Sequence, residues 1–117
     1  MLGNMPADLL AERIAARTSH ALARASRLRA VASEAATQLR KLGATRVILF
    51  GSLASGAQPH GDSDIDLCVE GLPQGVVERF RLDASGPTGR LDIVRWETAP
   101  PELRAVIETY GESLEGA

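Results

Sequence analysis

Two short stretches of this chain hold side chains whose types and spacing could do chemistry. Asp64-Ile65-Asp66 sets two carboxylates on alternate positions of an apolar run, and Gly51-Ser52 lies just upstream at the end of another. Alternate side chains of a strand share a face. Asp64 and Asp66 are therefore expected to point one way while Ile65, Leu67 and Val69 enter the core. Two carboxylates on one face repel unless a cation relieves them. Mg²⁺ takes oxygen ligands, keeps several waters and is commonly held by one or two carboxylates plus substrate phosphates. The pair thus has the makings of half a metal site, although an isolated Asp-x-Asp is more often a solvated strand edge.

Two familiar devices fail on the residues themselves. Counted from Asp62, an EF-hand loop would need glycine at Leu67 and glutamate at Pro73. Gly51 and Gly56 have the separation of a P-loop, but Ala57 stands where its lysine must be. What survives is a strand, then Gly-Ser, then a short helix. That order aims backbone N–H groups and the Ser52 hydroxyl at one point, a place for an anion. Gly51 lets the backbone come close. One device would grip a polyphosphate, and the other would hold the metal that the polyphosphate also ligates. Displacement at phosphorus is often served by two metals and several bridging carboxylates. Asp92, a lone acid in the apolar run Leu91-Asp92-Ile93-Val94, is the candidate third. It could join the same face and take a proton from an attacking hydroxyl. The alternative is a strand-edge acid paired with Arg90 or Arg95.

The elements that must position these groups follow from periodicity. Residues 6–42 repeat apolar side chains every three to four positions and read as helix. Pro6 suits a first helical position, with Asn4 a candidate cap. Thr18-Ser19 could cap a second helix, so one long helix and two shorter ones are both open, and Gly43 is a natural C-cap. Residues 46–50, 65–69 and 91–96 are apolar and rich in β-branched types, and read as strands. Short helices are expected over 53–57 and 74–81, a loop over 58–61, a turn over 84–89, and a closing helix over 102–110 after Pro100-Pro101. His20 is expected on the exposed arm, His60 in the loop, Cys68 as a small buried thiol and Trp96 in core or interface.

With 117 residues, 44% hydrophobic and 24% charged, the chain has the size and composition of one small globular domain. Aromatics are only 3%, so the core must come from aliphatic side chains, and stacking on single-stranded bases has little to work with. Direct nucleic-acid binding is not expected. A single cysteine excludes an internal disulfide and a cysteine-based zinc cluster, and fits a reducing cytoplasm. No membrane span or leader is expected. The net charge of −2 is uneven. Residues 1–42 carry seven basic against three acidic side chains, and the remainder six against twelve. Such a basic arm is usually a solvated helix face, and otherwise a contact for an acidic partner.

These residues resemble the nucleotidyltransferases of the DNA polymerase β superfamily, and within it the minimal nucleotidyltransferases. Their signature is Gly-Ser, about ten residues, Asp-x-Asp, then a later aspartate on a neighbouring strand. Here it reads Gly51-Ser52, a spacer one residue longer, Asp64-Ile65-Asp66, and Asp92. The flanks "KLGATRVILFGS" and "APPELRAVIETYGESL" are similar to the family's entry into its first strand and its closing helix. The likeness runs over residues 30–114, with 1–29 as a helical N-terminal extension of a domain spanning 30–117.

The resemblance implies an α+β, polymerase β-like fold: a small mixed sheet, helices packed on one side, and a helical arm. It implies transfer of a nucleoside monophosphate, AMP from ATP, with release of pyrophosphate. Gly51 and Ser52 would bind the nucleotide, and Asp64, Asp66 and Asp92 would hold Mg²⁺ and carry catalysis, with Asp92 also the base. Minimal members are often antitoxins that AMPylate a tyrosine of a small helical HEPN ribonuclease. Leu53 and Ser55 stand where many members carry phosphate-holding arginines, and Asp62 has no matching role. Three readings are carried forward. The first is an Mg²⁺-dependent, AMP-transferring antitoxin acting on a protein hydroxyl. The second is an inactive relative that neutralises a partner by contact through the basic arm. The third is a plain dimerising domain, a homo-oligomer through its N-terminal helix.

Overall fold

The computed structural model describes residues 7–55, 64–84 and 90–115. Asn4, Pro6, Asp62, His60, the loop over 58–61 and most of the 84–89 turn lie outside the described residues.

Helix α1 spans Ala7–Lys41 without a break. Thr18 does not start a second helix: its hydroxyl donates to the Ile14 carbonyl at 2.9 Å, one turn back within the same helix. Asp8 in the first turn and Arg40 and Lys41 in the last complement the helix dipole. Gly43 ends the helix at φ +119. The Ala44 N–H reaches the Leu39 carbonyl and the Gly43 N–H the Arg40 carbonyl, each at 3.0 Å. This is the Schellman closure that a left-handed glycine permits.

Only the second half of α1 is packed. Leu28, Ala32, Ala35, Ala36 and Leu39 are buried, at spacings that keep them on one stripe. Every side chain from Asp8 to Arg24 is exposed. The radius of gyration is 17.5 Å, against about 13–14 Å for a compact chain of this length. The difference is the projecting arm.

The sheet has four strands in the order β3-β2-β1-β4. Strands β1 (Arg46–Phe50) and β2 (Ile65–Glu70) pair antiparallel, and β2 pairs parallel with β3 (Leu91–Arg95). A one-turn helix α2 (Ser52–Ser55) follows β1, and α3 (Gln74–Ala84) makes the crossover from β2 to β3 that a parallel pair requires. After β3 come a 3₁₀ turn (Trp96–Thr98) and α4 (Pro101–Tyr110), with Pro101 in the first turn, where its missing N–H does no harm. The fold is thus the α+β arrangement expected, with a small mixed sheet.

Alternation along the strands splits the core in two. Val47, Leu49, Ile65, Leu67, Val69, Leu91 and Ile93 pack under α1 and α3. Ile48, Phe50 and Cys68 turn to the other face, where Ile107 of α4 covers them, so helices lie on both faces of the sheet rather than on one side as expected. The last strand, β4 (Glu112–Ser113), lies on the far edge of β1. The Leu114 N–H donates to the Val47 carbonyl at 2.8 Å, and the Arg40 guanidinium donates to the Leu114 carbonyl at 2.6 and 3.1 Å. Trp96 is held between two cations, with the Arg46 and Arg104 guanidinium carbons 4.5 and 4.9 Å from its ring centre.

Candidate active site

The site begins where β1 ends. Gly51 has φ +77, a left-handed conformation that turns the chain out of β1 and into α2. Its neighbour across the sheet is the β2 strand, in which Asp66 is the register partner of Phe50. A methyl group at position 51 would run into Asp66 Oδ2 and come within 3.2 Å of its Cγ. Glycine at this point therefore makes the room in which the Asp66 carboxylate lies. Asp66 is also the register partner of Asp92 on the parallel neighbour β3. Register partners in a sheet share a face, and adjacent strands lie about 4.8 Å apart. Asp66 and Asp92 thus project side by side, on the face opposite Ile65, Leu67 and Ile93. Asp66 is half-buried, and Asp92 is exposed, in the positive field of Arg81.

Asp64 sits differently from the sequence expectation. Strand β2 starts at Ile65, so Asp64 stands at its mouth rather than within its alternation. Its Oδ2 accepts the Arg90 N–H at 2.9 Å, and its Oδ1 accepts Arg24 Nη2 at 2.9 Å. The Arg24 hydrogen bond, followed by that from the Arg90 backbone, holds the Asp64 carboxyl below its ordinary value. Arg24 comes from α1, one turn before Leu28 on the buried stripe. A second arginine of the same helix, Arg29, pairs with Glu112 Oε2 at 2.8 Å and reaches the Leu53 carbonyl at 3.4 Å.

Ser52 opens α2 and is partly exposed. A single turn offers a few free N–H groups and no macrodipole, so any anion here would be held by individual donors. Among the described residues, no three acidic, histidine or cysteine side chains are gathered closely enough to hold a metal ion as they stand. The donor set still suits one kind of ion. It is all carboxylate, which matches a hard cation such as Mg²⁺ rather than a thiol- or imidazole-seeking metal. Asp66 and Asp92 are already adjacent, and Arg24 holds Oδ1 of Asp64. Cys68, two residues beyond Asp66, is buried, and burial pushes its thiol up to about 11, which keeps it protonated at neutral pH. His20 is exposed on the arm, as expected.

Arg24 and Arg29 were not singled out from the sequence. The available signal was an arginine on the apolar stripe of α1, four residues before Leu28.

The family model described as a nucleotidyltransferase domain matches residues 32–99, from within the packed half of α1 to just past β3. The chain belongs to that family. Among solved structures it is similar to a MntA–HpeT toxin–antitoxin complex in which two aspartates two positions apart are changed to glutamate. That match has 27% identity and a TM-score of 0.52, covering 63% of this chain and 62% of the other. A toxin–antitoxin structure with AMP-PNP matches at 29% identity and TM-score 0.51, over 63% and 62% of the two chains. A tyrosine-to-alanine form of MntA–HpeT matches at 28% identity and TM-score 0.51, over 63% of this chain and 61% of the other. The chain thus spans about three fifths of the length of the structures it matches. Comparison with curated proteins gave no match. No helix among the described residues is long and apolar enough to cross a membrane.

Proposed function

We propose that the chain is a nucleotidyltransferase that acts as the antitoxin of a toxin–antitoxin module, moving AMP from ATP onto a hydroxyl of a small helical HEPN-type toxin in the cytoplasm. The observation that carries the reading is the in-register pair Asp66 and Asp92, standing beside the space that Gly51 leaves open. Family membership supports nucleotidyl transfer. The similarity to toxin–antitoxin structures, one with an ATP analogue, supports the nucleotide and the partner.

On this reading Gly51 admits the triphosphate to the backbone and the Ser52 hydroxyl donates to it. Asp64, Asp66 and Asp92 would hold Mg²⁺, which when bound supplies charge neutralisation and orientation of the phosphates. The acceptor oxygen bonds to the α-phosphorus, the bond from that phosphorus to the α–β bridging oxygen breaks, and pyrophosphate leaves. The hydroxyl proton passes to Asp92, whose exposure leaves it open to a protein acceptor.

The test is incubation with the neighbouring gene product and α-labelled ATP, read by label transfer and intact mass. Label should appear on the partner, and Asp66→Asn should abolish it while leaving the fold intact. Equal labelling by Asp66→Asn would overturn the reading.

One observation favours a second reading, neutralisation by contact alone. Arg24 already occupies the Asp64 carboxylate, while the arm exposes Leu9, Leu10, Ile14 and Leu22 beside its arginines. Neutralisation that persists without ATP and in Asp66→Asn selects it. The same exposed leucines are where a homo-oligomer would form through the N-terminal helix.

A further inference from the structure

The ion pair between Arg24 and Asp64 ties the start of the packed half of α1 to the mouth of β2. Arg24 is exposed one turn before Leu28, the first buried residue of α1, and it spans 40 positions of sequence to reach Asp64. Asp64 has two oxygens. The Arg90 N–H, part of the strand pairing that also carries Asp64 N–H to the Arg90 carbonyl at 2.9 Å, fixes Oδ2 in place. The other oxygen, Oδ1, is held by Arg24 Nη2 at 2.9 Å. A divalent ion and a guanidinium cannot share that oxygen at contact distance, because their mutual repulsion grows as the separation falls. Metal entry at Oδ1 of Asp64 therefore requires Arg24 to move.

Arg24 is free to do so. Its side chain is 56% exposed, while the backbone beneath it is anchored one turn later at Leu28. A nucleotide triphosphate arriving with the ion brings more negative charge than one Mg²⁺ neutralises. Its oxygens match the planar, two-pronged donor of an arginine.

We propose that Arg24 is a positioning residue that holds Asp64 in the nucleotide-free protein and passes to the phosphate oxygens of the nucleotide when a divalent cation takes Asp64. The proposal rests on the nucleotidyltransferase reading above. It gives Arg24 opposite effects on two ligands. Arg24 competes with the ion alone and assists the ion with its nucleotide.

The experiment measures both on the full chain: Mn²⁺ alone by electron paramagnetic resonance, and Mn²⁺ with AMP-PNP by calorimetry. Arg24→Ala should bind Mn²⁺ alone about two- to five-fold more tightly, the factor expected for release of a half-exposed ion pair. The same variant should bind the Mn²⁺–nucleotide complex about ten-fold more weakly, the loss of a charge-assisted contact to phosphate. Arg24→Lys should restore most of both, and Arg13→Ala, on the exposed arm, should alter neither. Arg24 lies outside the packed core, so far-UV circular dichroism should confirm that all three variants fold. If wild type binds both ligands and Arg24→Ala shifts them in the same direction, or shifts neither, the role given to Arg24 is overturned. If wild type binds neither ligand, nucleotidyl transfer itself falls, and the proposal with it.

Discussion

Replacing Gly51 with alanine should separate the two tasks this glycine performs. At φ +77 an alanine is strained, by about 1–2 kcal/mol for a residue forced into the left-handed region. For a domain of this size that lowers Tm by about 4–8 °C. The second effect is local. The new methyl meets Asp66 Oδ2, with Asp66 Cγ at 3.2 Å, so the carboxylate must swing away from its place beside Asp92. A displacement of about 1 Å at a reacting centre can lower a rate about 100-fold, and that is the loss expected in label transfer. Gly43 is the control. Its φ is +119, and the nearest atom to an added methyl is Leu72 Cδ2 at 3.7 Å, an ordinary contact far from the carboxylates. Gly43→Ala should therefore melt lower and transfer at the wild-type rate. Thermal denaturation and the labelling assay, run on both variants below their melting ranges, supply the comparison. A Gly51→Ala protein that melts lower yet transfers as fast as wild type would refute the idea that glycine is there to house the Asp66 carboxylate.

Four further outcomes follow from packing and charge. Leu39→Ala removes a fully buried side chain of α1 and should cost about 2–5 kcal/mol in urea denaturation. Cys68, buried with its thiol pushed up to about 11, should be inert to a thiol reagent at neutral pH until the protein is unfolded. Asp64, through Arg24 and then the Arg90 N–H, and Glu97, chiefly through the Gly71 N–H, are held below their ordinary carboxyl values. A depressed folded value stabilises the fold above the unfolded pKa and withdraws that support as pH falls through the folded one. The urea midpoint should therefore drop below about pH 4, and less steeply in Glu97→Gln. Deleting residues 1–20 should leave Tm within about 1 °C, because every side chain from Asp8 to His20 is exposed. Deleting 1–29 should lower it, because buried Leu28 and the Arg29–Glu112 pair go too.

The strands β1, β2 and β3 were legible because their β-branched, apolar runs need no context: both faces of β1 and β2 are covered. The break at Gly51 was equally plain, since a glycine between an apolar run and a serine marks a turn. β4 was not legible. Its two exposed residues carry no alternation, and it exists because the Leu114 N–H and the arginines of α1 hold the chain to the edge of β1. Tertiary contacts, not propensity, make such a strand. The three aspartates were found by type and spacing. That Asp92 lies beside Asp66 depended on the parallel register of β2 and β3, which spacing does not determine.

Arg24 was hidden for a geometric reason. Residues 1–42 hold seven cations, and composition cannot say which of them reaches the carboxylates. The helical period narrows the choice to arginines on the stripe that Leu28 and Ala35 bury, which leaves Arg17 and Arg24 as neighbours of the seam. Rise per residue then decides between them. Seven positions at about 1.5 Å each put Arg17 about 10 Å farther out, beyond the reach of a side chain anchored at Leu28. Arg24, one turn before the first buried residue, is the one of these two whose guanidinium meets the rim of the sheet. The rim there is the mouth of β2, where Asp64 stands. The same stripe that fastens the arm to the core thus determines which of its cations attends the carboxylates.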